Sequence, residues 1–262
     1  MTDARLPITA IVASHDEAHL LPACLDGVSF CDEVIVIDIA SSDDTAAVAA
    51  ERGARVVPHE WVPIAEHARA EAIETARNEW LLVRDPDEVI PHALADEVVE
   101  LFPRLGPDVG VVTAPIERSF AGRPLRGGVW GGIKRERLLT RRSAVSFPTG
   151  VNQRLLRKPG FVDVEIPYRG DNAIRHLWVD GYRTFLERHL RYLRLEGRDR
   201  AAIGEVTGWR RVASTPARAF WDSFATQRGY RDGVRGLALS ALWAGYRTGA
   251  ELMLLRELRR HG

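Results

Sequence analysis

Residues 83–89 read Val-Arg-Asp-Pro-Asp-Glu-Val (VRDPDEV) and continue an apolar run, Trp80-Leu81-Leu82-Val83. A short apolar run closed by turn residues predicts a buried strand. Asp and Pro form turns, so the end of a strand would by itself account for Asp85, Pro86 and Asp87. Two carboxylates at the carboxyl end of a parallel strand can also hold a divalent cation against a diphosphate. The residues on either side bear on which of these applies.

Upstream, the chain alternates in the manner of βαβ units. Strands are expected at Ile8–Val12, Val34–Asp38, Arg55–Val57 and Trp80–Val83. Helices are expected at Glu17–Val28, Asp43–Arg52, Glu66–Ala76 and His92–Leu101. Ser41-Ser42-Asp43 offers an N-cap for the second helix. Such a pattern predicts an α/β doubly wound, mostly parallel sheet, which binds ligands at the carboxyl ends of its strands. After about Gly110 the strands are shorter, Val109–Ala114, Leu138–Arg141 and Val162–Ile166, with Gly- and Pro-rich loops between them. From Tyr182 the chain reads as helical, over Arg183–Leu195, Ala217–Thr226 and Asp232–Leu258. The expected organisation is therefore a domain over 1–181, split into halves 1–105 and 106–181, followed by a helical extension over 182–262.

The 262 residues suffice for one large α/β domain with an appendage. The amino terminus lacks a basic region followed by an apolar one, so no signal peptide is expected. No apolar run reaches the roughly 20 residues of a membrane helix. Cys24 and Cys31 match no zinc or redox spacing, which suits reduced thiols and a cytoplasmic location. The net charge is zero, but residues 1–100 hold 21 acidic and 6 basic side chains and the remainder 15 acidic and 30 basic. A basic second half suits an anionic partner.

The first strand is followed by Ala13-Ser14-His15-Asp16-Glu17. No Gly-x-Gly-x-x-Gly follows it, which excludes a Rossmann dinucleotide site of the usual kind, and no P-loop is present. What remains is a series of acids at strand ends: Glu17 after the first, Asp38 closing the second, and Asp85 and Asp87 after the fourth. Acids at the ends of three of the four expected strands point to one site.

Three segments resemble glycosyltransferase family 2, in order and spacing, across the first ninety residues. ITAIVASHDEAHLLPACLDGV is similar to the opening strand and helix around P-T-x-N-E-E. EVIVIDIASSDDTAAVA is similar to V-D-x-x-S-x-D-x-T, and WLLVRDPDE to W-x-L-x-x-D-A-D-E. VWGGIKRERLLTR and FATQRGYRDGVRGL resemble W-x-P-D-x-x-x-R-L-F and G-x-x-D-G-x-x-G of one subgroup, the lipopolysaccharide-core β-1,4-glucosyltransferase-like enzymes.

The resemblance implies a GT-A fold and an inverting, metal-dependent transfer of a sugar, UDP-hexose by default, from a nucleotide diphosphate sugar. Carried over residue by residue, Ala13, Ser14 and Glu17 would border the base and ribose, and Asp38 would accept a hydrogen bond from the base. Arg69 would lie near the nucleotide and Asp85 would hold the ribose. Asp87 would hold the Mn2+ or Mg2+ that bridges both phosphates, with His176 as a further metal or phosphate contact. The acceptor would be a cell-envelope glycan or a lipid-linked intermediate at the inner face of the membrane.

Departures fall on the acceptor side. Ile133 stands where the subgroup has Asp, and Val151-Asn152-Gln153 where it has His-Glu. An amide takes no proton at neutral pH, so neither Asn152 nor Gln153 can be the general base. Asp171 and Asp163 are the nearest other acids. A phosphate oxygen of a polyprenyl phosphate would attack without a base, and a relative that binds nucleotide sugar without transferring it stays open. A sugar nucleotidyltransferase shares the sheet and the acids but lacks here its glycine-rich loop. In the last third, Trp209-Arg210-Arg211, Phe220-Trp221 and Leu237–Trp243 interleave aromatics with arginines. This suits a peripheral contact with an anionic membrane or packing against protein, a second subunit of a homodimer included. No nucleic-acid motif accompanies it.

Overall fold

The computed structural model describes residues 5–146 and 156–261. In chain order its first elements are β1 (Leu6–Ser14), α1 (Leu21–Gly27), β2 (Cys31–Ile39), α2 (Thr45–Glu51), β3 (Arg55–His59), α3 (Ala65–Thr75), β4 (Trp80–Arg84), β5 (Glu88–Val89) and α4 (His92–Leu101). Then follow β6 (Val109–Phe120), β7 (Arg123–Pro124), β8 (Lys134–Arg141), β9 (Val145–Ser146), β10 (Leu156–Arg157), β11 (Val162–Glu165) and β12 (Ile174–Val179). Helices α5 (Tyr182–Ala202), α6 (Trp209–Trp221) and α7 (Gly233–His261) complete the chain. It divides into two compact units. The first holds the described residues up to Ile116 and those from Ile133 to Leu177, and the second holds Glu117–Gly132 and the described residues from Trp178 on.

Among the described residues the main sheet runs β3-β2-β1-β4-β8-β6-β12-β5, with β7 and β11 joined to β6. The neighbours β3, β2, β1 and β4 are parallel, whereas β8 is antiparallel to both β4 and β6. This is the mixed α/β sheet of a GT-A fold. Its central strands are apolar without alternation because both faces are covered. Ile8, Ala10 and Val12 of β1 pack with Leu21, Cys24, Leu94 and Val98 from α1 and α4. Ile11 and Ala13 point the other way, toward Ala68, Ala72 and Ile73 of α3. Ile8 and Ile11 are fully buried, each contributing about 2 kcal/mol. Cys24 and Cys31 are free and buried, and burial pushes both thiols well above their ordinary range.

Boundaries move where local chemistry overrides pattern. The first helix begins at Leu21, because Asp16 is left-handed (φ 54°) and the chain turns before Pro22 can start a helix. The second begins at Thr45 with Asp44, not Asp43, at the N-cap position. Strand β6 continues past Ala114 through Pro115, which pairs with Arg135 of β8. Proline usually ends a strand because it lacks the N–H that the ladder needs.

The second unit has its own core, in which Phe120, Leu125, Trp178, Phe185 and Leu239 are buried and the half-buried Trp130 packs against them. The segment resembling G-x-x-D-G-x-x-G has a structural task here. The Asp232 carboxylate accepts hydrogen bonds from Arg126 N at 3.0 Å and Gly127 N at 2.9 Å. Within the same segment Gly236 approaches Gly229 so closely that a Cβ on it would lie 1.8 Å from Gly229 O.

Between α5 and α7, Glu251 is buried and accepts from Thr207 Oγ1 at 2.5 Å and Arg200 Nη2 at 3.0 Å, with Arg211 Nε 3.4 Å away. Burial raises its carboxyl, but the Thr207 and Arg200 hydrogen bonds and the charges of Arg200 and Arg211 outweigh that and hold it below the glutamate range. A folded-state pKa below the unfolded value gives stability that is present above the unfolded pKa of about 4.5 and is lost as pH falls through the folded one. Glu251→Gln is therefore expected to cost about 2–3 kcal/mol at pH 7. Thermal melts should show the gap from wild type narrowing as the pH is taken below about 4.

Candidate active site

The site is built on the ends of adjacent parallel strands. In the β1–β2 register Ser14 lies opposite Asp38, and in the β1–β4 register Val12 lies opposite Arg84. Ala13, Ser14, Asp38 and Asp85 therefore emerge at the carboxyl ends of neighbouring strands, at the point where strand order reverses around β1. Ala13 and Ser14 are buried. Glu17 Oε2 accepts from Ser14 Oγ at 3.3 Å and from His15 N at 3.4 Å. Asp38 Oδ1 accepts from Ser41 N at 3.1 Å. Arg69, on α3, is ion-paired through Nη2 with Asp85 Oδ1.

The loops after β1 and β2 are stitched together by reciprocal hydrogen bonds. Asp16 Oδ1 accepts from Ser42 N at 2.6 Å and Asp43 N at 3.3 Å, and Asp43 Oδ2 accepts from Ala18 N at 3.0 Å. Asp16 N donates to Ser41 Oγ and Glu17 N to Thr45 Oγ1, both at 3.1 Å. Ser41, Asp43 and Thr45 are the fixed positions of V-D-x-x-S-x-D-x-T, and this stitching is what they do here. The Ser42 N–H, against a smaller cost of burial, holds the Asp16 carboxyl below its ordinary range, and the Thr45 hydroxyl does the same for Asp43.

Asp87 and His176 come together through strand pairing. β5 and β12 are antiparallel with Glu88 opposite His176, and Leu177 N donates to Asp87 O at 2.7 Å. His176 Nε2 lies 3.4 Å from Asp87 Oδ2, and its Nδ1 lies 3.5 Å from Glu88 Oε1. Among the described residues neither ring nitrogen has a hydrogen-bond partner, although the residue is only 8 % exposed. For Nε2, beside Asp87, that condition fits a ligand not yet counted, while Nδ1 faces the Glu88 carboxylate. Two ligand atoms about 2.1 Å from one cation at about 90–110° lie roughly 3.0–3.5 Å apart, the separation seen. Among the described residues no group of three or more His, Cys, Asp or Glu side chains could hold a metal. An ion here would draw its other ligands from phosphate and water, as Mg2+ commonly does.

Arg84 and Glu88 lie behind this pair, and sequence reasoning gave them no task. Arg84 Nη1 donates to Glu88 Oε2 at 2.8 Å and its Nη2 donates to Arg137 O. Burial pushes the Glu88 carboxyl up, opposed by Arg84 and His176. The glutamate behind VRDPD was visible in the sequence, but its partner at 176 becomes apparent only with the β5–β12 register.

Of the acceptor-side candidates, Asp171 is exposed in the loop before β12. Its neighbour Asn172 is buried and donates to Glu97 Oε1 at 2.7 Å. Asp163 is ion-paired with Arg157 at 3.0 Å. Register places it level with Val111, Thr140 and Leu81, near the start of β4. Val151, Asn152 and Gln153 lie outside the described residues.

A mixed sheet thus carries acids at or just after the carboxyl ends of β1, β2 and β4, which are neighbours in the sheet. The sequence profile of Glycosyl transferase family 2 matches residues 9–159, and the chain belongs to that family. It is 41 % identical over 136 residues to a TPR repeat-containing protein of Synechococcus elongatus, covering 46 % of this chain and 33 % of that one. It is 34 % identical over 97 residues to an uncharacterized glycosyltransferase of Rickettsia felis, covering 36 % and 34 %. The match thus spans about a third of the length of these relatives. In fold it is similar to the mannosyltransferase PcManGT of Pyrobaculum calidifontis, solved with GDP-Man and Mn2+. The TM-score is 0.57 at 18 % identity, over 96 % of this chain and 87 % of that one.

Proposed function

We propose that the protein is an inverting, metal-dependent hexosyltransferase that takes its sugar from a nucleotide diphosphate sugar, UDP-hexose first among the candidates. The observation that carries this is the convergence of Ser14, Asp38 and Asp85 on adjacent strand ends, with Asp87 two residues after Asp85 and His176 brought to it by β5–β12 pairing. Asp38 keeps Oδ2 for the base, since Oδ1 is engaged by Ser41 N. Asp85 takes the ribose, with Arg69 holding its other side. Asp87 and His176 are the residues that would hold Mn2+ or Mg2+. A bound divalent cation would neutralise charge growing on the departing diphosphate. Displacement at the anomeric carbon by an acceptor oxygen forms the new glycosidic bond as the bond to the diphosphate breaks.

Catalysis is assigned to residues 1–181, with Asp171 as the base, and the acceptor to a cell-envelope glycan or a lipid-linked intermediate. A lipid-linked acceptor, including a polyprenyl phosphate whose own oxygen attacks, is favoured by helix α6. Trp209 and Trp221 at its two ends are 58 % and 67 % exposed. Arg210 and Arg218 are exposed between them, and no acid occurs from 209 to 221. Such a face suits a peripheral contact with an anionic bilayer. Among the described residues no helix is long and apolar enough to cross one.

The test is thermal stabilisation by UDP, GDP, dTDP and CDP, each with and without Mn2+, in wild type and Asp87→Ala. Ligand at a hundred times its Kd adds about 2.7 kcal/mol. One nucleotide is expected to raise Tm by about 5–10 °C with Mn2+, and the Mn2+ increment should vanish in the variant. No shift with any nucleotide would overturn the assignment.

A further inference from the structure

We propose that Glu88, anchored by Arg84, is the positioning residue of the metal-holding pair: it orients the His176 ring so that Nδ1 carries the proton and Nε2 presents its lone pair beside Asp87. The inference rests on the ion-holding role given above to Asp87 and His176, and it concerns how this chain prepares them.

Four side chains form a buried line. Arg84, Glu88, His176 and Asp87 are 4, 8, 8 and 5 % exposed. From one end to the other, Arg84 Nη1 donates to Glu88 Oε2 at 2.8 Å, Glu88 Oε1 lies 3.5 Å from His176 Nδ1, and His176 Nε2 lies 3.4 Å from Asp87 Oδ2. Arginine can only donate, and Nη2 of this one is engaged by Arg137 O, which fixes the guanidinium in place. Glu88 is thus presented to the imidazole as a fixed acceptor. A histidine that meets an acceptor at Nδ1 puts its proton there and leaves Nε2 free for a cation, as in carboxylate–histidine–metal arrangements generally.

Stability alone is a weak reason for such a group. A buried ion pair offsets its own desolvation poorly, and apolar residues of equal volume do as well or better. An Arg–Glu pair serving only to fill the space behind β4 would have no need to aim its second oxygen at a histidine. The backbone supports the aim, since β5 and β12 place Glu88 and His176 directly opposite one another.

Glu88→Gln separates orientation from bulk. Arg84 Nη1 continues to require an acceptor, so the new amide turns its carbonyl toward Arg84 and its NH2 toward His176. The ring must then accept at Nδ1 and carry its proton on Nε2, facing Asp87, where a cation would otherwise bind. Mn2+ uptake in the presence of UDP and of GDP would be followed by the electron paramagnetic resonance of free Mn2+. Metal-free nucleotide binding would be measured alongside, and 15N spectra of the histidine rings would report the tautomer, with His176→Ala assigning the signal.

The expected result is a rise of about 10–100-fold in the Mn2+ Kd, a magnitude usual for residues that orient metal ligands. Metal-free nucleotide binding should be unchanged, and the His176 proton should move from Nδ1 to Nε2. Wild-type Mn2+ affinity with an unmoved proton would overturn the proposal, even if the variant melted lower. Should Glu88→Gln fail to fold, Glu88→Asp keeps the charge but is too short to reach Arg84 and His176 together. Weakened Mn2+ binding is expected there, and wild-type affinity would again overturn the proposal. Asp87→Asn and His176→Ala keep the two levels apart: if they bind Mn2+ as well as wild type, or wild type binds none with either nucleotide, the ion-holding role itself falls.

Discussion

Asp87→Asn is expected to lower sugar transfer, or hydrolysis of the donor by water, at least about 1000-fold at saturating donor. A bound cation acting on a departing diphosphate contributes several kcal/mol of transition-state stabilisation, and about 4 kcal/mol corresponds to that factor. Asparagine keeps the shape of Asp87 and the Leu177 N–H···O=C bond from β12, which uses the backbone carbonyl of residue 87. The loss would therefore report charge and not folding. The loss should fall on kcat with little change in metal-free nucleotide affinity, because Ser14 and Asp38 lie on other strand ends and Asp85 keeps its own carboxylate. Release of nucleoside diphosphate, measured with whichever donor matches the stabilising nucleotide, checks this. A variant within tenfold of wild type would remove Asp87 from the chemistry.

Gly236→Ala is expected to destabilise the second unit by at least about 4 kcal/mol, lowering its melting temperature by at least about 15 °C. Alanine replacing glycine within a helix ordinarily gains about 0.5–1 kcal/mol, so helix preference alone has the opposite sign. The difference lies in the 1.8 Å between a Cβ at 236 and Gly229 O. Main chain cannot step aside as the tip of a flexible side chain can. Gly245, farther along α7, is the internal control, because a Cβ there meets nothing within 4 Å. Gly245→Ala should raise the melting temperature by a degree or more. If the two alanines behave alike, the close approach of residues 229 and 236 is not what holds this unit.

Much of the fold was legible because the hydrophobic pattern leaves little choice. Ile8–Val12, Val34–Asp38 and Trp80–Val83 are apolar without alternation, and only a sheet covered on both faces accommodates that. His92–Leu101 was located to the residue because its apolar spacing meets no competing signal. The order β8-β6-β12-β5 was not legible, since antiparallel pairing joins residues by register that local pattern does not encode. β6 was read short because Pro115 ordinarily stops a strand.

The same division holds at the site. Asp38, Asp85 and Asp87 were visible as acids following apolar runs. Asp43 was read as part of an N-cap and Asp16 was given no task, although their carboxylates join two loops more than twenty residues apart in sequence. Arg84 and Glu88 had no evident task until β12 placed His176 opposite Glu88.

The latch between Asp232 and the backbone at 126–127 closes a span of 105 residues between Gly127 and Asp232. During synthesis at about 5–20 residues per second, Gly127 therefore leaves the ribosome at least about 5 s before its partner does. Phe120, Leu125 and Trp130 wait with it, since Phe185 and Leu239, with which they pack, have not yet been made. An apolar stretch left uncovered for that long is a natural substrate for chaperones and proteases. The second unit can complete its core only when the last helix arrives, which makes the nascent chain most vulnerable in its middle.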